Sequence, residues 1–290
     1  MHAPGSAWLE LGWRHSRASS VYTERGRRVD FVHPSVMGDA LGELFDEGLF
    51  VSDELAAYAE VGIAPGLEVY GRLPLRQVRT EWTISETPEI TQLNRGAGDA
   101  LLGLRAGGTL GRVALSGRAH VLGPLYDNSP STLNRGAGNS DFYDDLPPLG
   151  QGTIDVEVGA AAGVGFGVGW AQVDQALRVR NREYSTLVPG SLQVGAKPIP
   201  HLGLFTEAGW QLSLDDGRQP TFYLSEWSKS PLVIDRQHQL SVGGGAFAQP
   251  LAHLESAVKG LGLSVRYDAV VMGRRAAAVR GLSTSVFWSL

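Results

Sequence analysis

The sequence predicts an all-β protein built as one closed, antiparallel up-and-down barrel of about twelve strands, and three observations carry that prediction. Hydrophobic and polar residues alternate with a period of two along most of the chain, which puts them on opposite faces of a strand, whereas a helix needs a period of 3.6. Glycine supplies 38 of 290 residues; that is nearly twice the ordinary share of about 7 %, and glycine at this density disfavours helices. The connections between alternating segments are trimmed at one end of the strand set and elaborated at the other.

Strands are expected to begin near residues 7, 54, 66, 98, 110, 152, 165, 186, 200, 237, 259 and 278. Near 54, Leu55, Ala57, Ala59, Val61 and Ile63 oppose Tyr58 and Glu60. Val113, Leu115, Gly117, Ala119 and Val121 oppose Arg112, Ser116, Arg118 and His120; Ile154, Val156 and Val158 oppose Thr153, Asp155 and Glu157. The segment from Phe166 to Arg180 changes phase near Trp170–Ala171, which predicts a bulge there. Further on, Leu202, Leu204, Thr206, Ala208, Trp210 and Leu212 alternate with His201, Gly203, Phe205, Glu207, Gly209 and Gln211. Leu261, Leu263, Val265, Tyr267, Ala269 and Val271 face away from Gly262, Ser264, Arg266 and Asp268. The last strand sets Leu282, Thr284, Val286, Trp288 and Leu290 against Ser283, Ser285, Phe287 and Ser289. No charge falls on the apolar phase of these segments.

Short turns are expected at Ala64-Pro65-Gly66, Ala106-Gly107-Gly108, Gly163-Val164-Gly165 and Pro198-Ile199-Pro200, and longer connections at 18–53, 83–97, 124–151 and 214–236. Bacterial outer-membrane barrels have even strand numbers, short periplasmic turns and longer extracellular loops. A strand of about ten residues tilted by about 40° spans about 25 Å, the height of their lipid-facing belt. A soluble β-sandwich also alternates, with its apolar face inward, so the alternation alone leaves both readings open. Two further features favour the membrane. The polar phase is crowded with glycines such as Gly103, Gly203, Gly243 and Gly262, which suits a narrow lumen. Trp13, Phe166 and Trp288 lie towards strand ends on the apolar phase, where an interfacial girdle uses aromatics. Residues 1–290 are expected to form a single transmembrane β-barrel domain.

Composition excludes other classes. With 25 basic and 30 acidic residues, a formal charge of -5 and no basic runs, the chain lacks the clustered cations that meet nucleic-acid phosphates. The absence of cysteine excludes disulfide frameworks, thiol catalysis and cysteine zinc sites. No apolar run approaches the roughly 20 residues of a spanning helix. Met1-His2-Ala3-Pro4-Gly5 has neither the basic nor the apolar region of a signal peptide, as expected of a mature chain or a cytosolic one. Gly-x-Ser-x-Gly, His-Glu-x-x-His and phosphate-loop motifs are missing. No enzyme activity, cofactor or metal is therefore expected; Asp127, Asn128, Asp141, Asp144 and Asp145 cluster in one loop without the spacing of a calcium site.

The polar phase defines a candidate lumen. Its acids are Glu10, Glu60, Glu68, Asp99, Asp155, Glu157, Glu207 and Asp268; its bases are Arg14, Arg72, Arg76, Arg105, Arg118, Arg266 and His120, with Tyr58 and Tyr70 beside them. Mixed signs on facing walls imply pairing, because isolated charges in a poorly hydrated interior are costly. They serve either as a selectivity wall for solutes or as a network filling a closed barrel. The 18–53 loop contains Val36, Met37, Ala40, Leu41, Leu44 and Phe45 at helical spacing after Ser35, a short amphipathic helix expected at the barrel mouth, either packed as a lid or lining a hydrophobic entry site. Leu93-Asn94-Arg95-Gly96-Ala97-Gly98 repeats as Leu133-Asn134-Arg135-Gly136-Ala137-Gly138. The repeat is either one turn used twice or a means of setting Arg95 and Arg135 as an anion-attracting pair at the entrance.

The terminal Gly281–Leu290 segment resembles the signal by which outer-membrane barrels are recognised for assembly, with a final Leu in place of the usual aromatic. The runs Leu67-Glu68-Val69-Tyr70-Gly71-Arg72-Leu73-Pro74, Gly98-Asp99-Ala100-Leu101-Leu102-Gly103-Leu104-Arg105 and Gly150-Gln151-Gly152-Thr153-Ile154-Asp155-Val156-Glu157-Val158-Gly159 are similar to hairpins of the outer-membrane proteins of the "meta-pathway of phenol degradation", loosely related to FadL-type fatty-acid transporters. The resemblance covers about residues 54–290 and implies passive uptake of hydrophobic or aromatic compounds. FadL-type barrels have fourteen strands and an N-terminal hatch, for which the few residues before the first strand leave no room. The expectation is a monomeric passive channel in the bacterial outer membrane, in contact with lipid and a small-molecule solute. The alternatives are a closed barrel acting through its loops, as an adhesin or partner-binding platform, and an outer-membrane lipid hydrolase. For the last, His15 points outward while the terminal-strand serines point the other way.

Overall fold

The computed structural model describes residues 3–23, 25–31, 45–84, 87–126, 149–150, 152–181, 184–215, 237–251 and 260–290. Alternation becomes antiparallel strand throughout: β1 Ala7–Ala18, β2 Ser20–Tyr22, β3 Arg28–Asp30, β4 Phe45–Ala64, β5 Leu67–Ile84, β6 Thr87–Ala97, β7 Asp99–Leu110 and β8 Val113–Pro124. Then come β9 Asp155–Phe166, β10 Gly169–Arg180, β11 Leu187–Ile199, β12 Leu202–Ser213, β13 His238–Ala248, β14 Leu261–Arg274, β15 Ala276–Ala277 and β16 Arg280–Ser289. Strands β6 and β7 both pair with β5 and form one long strand broken at Gly98; β1 closes the sheet between β16 and β4. The result is a closed barrel of twelve strands. Short β2, β3 and β15 form a separate three-stranded sheet in the connections at the long-loop end.

Burial separates lipid from water as the surrounding medium. Leucine and valine on the outer face are widely exposed, Leu102 at 66 %, while Glu68 on the inner face is fully buried and Asp155 and Glu157 nearly so. A water-soluble core has the opposite polarity. The apolar belt ends where the outward phase of β5 passes from Leu73 and Leu75 to Gln77, Arg79 and Glu81, and where that of β1 passes from Trp13 to His15 and Arg17. At about 3.3 Å per residue, the 20 residues of β4 are far longer than the belt needs, and β4, β5 and β6 extend the wall beyond it. Among the described residues no helix is long and apolar enough to cross a membrane; the chain crosses with strands.

The surplus of glycine has a specific use. Aromatic rings lie across glycines directly opposite them on the neighbouring strand: Phe247 over Gly203, Phe287 over Gly262, and Trp170 over Gly195. A Cβ on Gly203 would sit 2.2 Å from the Phe247 ring, so glycine lets the ring lie flat on the wall instead of standing into the lumen, a pairing that also stabilises strands. Gly203→Ala is therefore expected to tip Phe247 off the wall and into the barrel interior while the barrel still folds, which a crystal structure of the variant would show.

Several expectations need correction. Residues 45–53 are strand, so Phe45 opens β4 and does not end a helix; Met37, Leu41 and Leu44 lie outside the described residues. Most of the 83–97 connection is β6, which pairs with the extended part of β5. The asparagine and glycine of Leu93–Gly98 suggested a turn, yet Arg95 is on a strand; the chain breaks only at Gly98, where the pairing slips by one residue opposite Pro74. Arg135 and the Asp127–Asp145 cluster lie outside the described residues, so the entrance pair has one placed member. The turns expected at 106–108 and 163–165 fall a few residues later, where Gly111 (φ 62) and Gly167 (φ 57) take the left-handed conformation that favours glycine. The phase change after Phe166 is that hairpin turn and not a bulge; β9 and β10 pair without interruption.

Candidate transport lumen

The polar-phase side chains expected in the lumen face inward, and strand register brings most of them into two networks. On the wall of β4, β5 and β7–β10, Glu54 accepts hydrogen bonds from Arg72 and Arg76. Arg105 joins Glu60 to Glu68, the latter at 2.7 Å, and the Tyr58 hydroxyl donates to Glu60 at 2.5 Å. Glu157 receives Arg118 at 3.0 Å and Arg178 at 2.8 Å, and Arg118 also binds Asp174. The Tyr70 hydroxyl and His120 Nδ1 are 2.9 Å apart. Arg105 and Arg118 are direct cross-strand neighbours; the four carboxylates around them offset the repulsion that like charges in that position exert. On the opposite wall Arg14 donates to Asp268 at 2.8 Å, Arg266 to Glu207 at 3.2 Å, and Ser264 and Ser285 share a 2.7 Å hydrogen bond.

At the long-loop end Asp99 and Asp155 begin their strands. Outside the spanning strands there, burial pushes the Tyr126 hydroxyl pKa above its ordinary value, and the negative charge of Asp99 acts in the same direction.

Between the walls lies a cavity of about 760 Å³. Of the expected lumen residues, Glu10, Arg14, Tyr58, Arg72 and Arg266 line it; Glu60, Glu68, Tyr70, Arg105, Arg118, His120 and Glu157 belong to the packed network beside it. The cavity also has an aromatic lining that the pattern reading did not single out: Trp8 stacked on Phe287 with centroids 4.6 Å apart, and Phe205 and Phe247 on another wall. Lys197 projects over Phe247, its Nζ 5.7 Å from the ring centroid.

Glu54, Asp174, Arg178, Arg180 and Lys197 are charged, inward-facing residues missed from sequence. Glu54 shares the phase of Tyr58 and Glu60, and only the late strand start hid it. Asp174 and Arg178 were hidden by the misplaced β9–β10 turn, and Lys197 by reading Pro198-Ile199-Pro200 as the turn itself.

On the outer face His15 Nδ1 contacts Asp53 Oδ1 at 2.9 Å and stacks near Trp13, but Ser283 and Ser285 line the interior cavity. The terminal-strand serines are thus on the other side of the wall from this pair, which deprives the lipid-hydrolase alternative of the nucleophile it considered.

No protein-family model and no curated protein matches the sequence. Among solved structures, the chain is similar to an outer membrane channel from Pseudomonas putida, with a TM-score of 0.64, 14 % identity, and 100 % of this chain and 97 % of that chain covered. It also aligns with the translocator domain of the autotransporter NalP from Neisseria meningitidis, with a TM-score of 0.45, 10 % identity, and coverage of 99 % and 89 %. The whole-length similarity to the channel, together with the closed sheet and its lipid-facing leucines, shows that this chain has an outer-membrane β-barrel fold.

Proposed function

We propose that the protein is a passive outer-membrane channel for small hydrophobic or aromatic molecules. The observation that carries this reading is the cavity of about 760 Å³ within the barrel, walled by Trp8, Phe205, Phe247 and Phe287. Ligand sites are typically cavities of about 300–1,000 Å³ lined by aromatic and apolar groups with a few placed polar ones, and this one has that make-up. Most charges nearby, Arg14, Arg72, Arg266 and Glu54 among them, are paired, so an uncharged solute displaces little water from naked ions. No chemical step is required of any residue.

Single-channel recording of the purified barrel in planar bilayers tests the reading. Discrete conductance steps are expected. Gly12 lines the cavity, and a Cβ there meets nothing closer than 3.5 Å, so Gly12→Trp places an indole in the bore and is expected to lower the step size at least twofold. A barrel that inserts, stays folded and passes no current or solute would support the loop-platform alternative instead.

A further inference from the structure

The arginines of both lumen networks are bound to carboxylates, but Lys197 is not. It is a lumen-facing residue near the short-turn end of β11, and its ammonium touches the Phe247 ring and no carboxylate among the described residues. Lysine is scarce in this chain, three residues against 22 arginines, and an ammonium is a compact charge with three donors free to rotate. Gln193 lies four residues back on the same face of the same strand and lines the same cavity; its amide accepts from the Trp170 indole at 3.3 Å and gives one N–H to Glu207 at 3.4 Å, which leaves its second N–H for a ligand. Phe205 and Phe247 supply a flat apolar surface beside these donors. Across the ring of strands, β1 lies five positions from β11 and carries Glu10, which accepts from the Trp8 indole N–H at 3.4 Å and meets no cation among the described residues. Arg14, Arg72 and Arg266, which also line the cavity, are paired with carboxylates, so Lys197 and Glu10 are the lining charges without an opposite charge among the described residues, on separate walls with aromatic rings at both.

From this arrangement we propose that the cavity holds a subsite for small aromatic carboxylates, with the carboxylate on Lys197 and Gln193 and the ring against Phe205 and Phe247. The assignment deepens the channel reading by naming its solute class. A carboxylate on Lys197 is attracted by a charge that no carboxylate among the described residues neutralises, and the aromatic wall adds ring contact and burial. The uncompensated Glu10 disfavours an anion on the other wall, which orients the solute. Neutral aromatics meet the rings but not the charge, and aliphatic acids the reverse.

The test uses the intact barrel in planar bilayers with benzoate, benzyl alcohol and acetate as probes. Benzoate is expected to interrupt the current at concentrations at least tenfold below those at which either of the others does. Lys197→Met should weaken benzoate at least tenfold and leave benzyl alcohol unchanged, whereas Glu10→Gln should bind benzoate as tightly as the parent or tighter. Equal blocking by benzoate and benzyl alcohol, or a Lys197→Met barrel that still favours benzoate, overturns the subsite while leaving the channel standing. Equilibrium binding in detergent, followed by tryptophan fluorescence, separates the two readings: a barrel that passes no current yet binds benzoate through Lys197 retains the subsite and sinks the channel.

Discussion

Arg105→Met is expected to destabilise the folded barrel by about 3–5 kcal/mol, the range found when one partner of a buried ion pair is removed. The guanidinium is held between Glu60 and Glu68, and Glu68 is fully buried. Without it, the carboxylates of Glu60 and Glu68 stay close together on adjacent strands in a site that water reaches poorly, and the hydrogen bond from the Tyr58 hydroxyl to Glu60 brings no compensating positive charge. The midpoint of denaturant unfolding in detergent micelles measures the loss. The mechanism has its own control: adding Glu60→Gln and Glu68→Gln to Arg105→Met removes the stranded charges and is expected to recover most of the stability. If the triple variant is no better than the single one, the arginine acts through packing and not through charge.

The second large effect concerns the outside of the barrel. Leu104 is midway along β7 and 51 % exposed, and Leu104→Arg is expected to cost about 2–4 kcal/mol, the penalty for arginine on the lipid face at the bilayer midplane. Leu110 is at the short-turn end of the same strand and 74 % exposed, and Leu110→Arg should cost about 0–1 kcal/mol, as near an interface. The gradient between the two is the diagnostic quantity, read from unfolding of barrels folded in lipid vesicles. If water surrounded these strands, both substitutions would be nearly neutral and the gradient would vanish.

What could be read in advance followed from a short-range rule. Alternate residues on a strand must point to opposite faces, so the sorting of Leu9, Leu11 and Trp13 from Glu10 and Arg14 is a local property of the chain, and the inward face of nearly every strand was legible from it. Where the rule was interrupted, the reading slipped. The phase of β10 was lost because the turn was set at Gly163–Gly165 and not at Gly167 and Val168, and with it went Asp174 and Arg178. The extended arm of β4 and the whole of β6 read as loops, because their pairing partner is the far end of β5 and asparagine and glycine near residue 95 mimic a turn.

The sequence by itself determined an antiparallel barrel with a polar lumen, since period two and one-sided charge need no knowledge of what lies opposite. Only the tertiary structure decided which acid meets which base, and which bases meet none. Arg105 between Glu60 and Glu68, Phe247 flat on Gly203 and Lys197 without a carboxylate among the described residues all depend on register between strands and on closure of the sheet. Those are contacts between residues distant in the chain, and no local pattern encodes them.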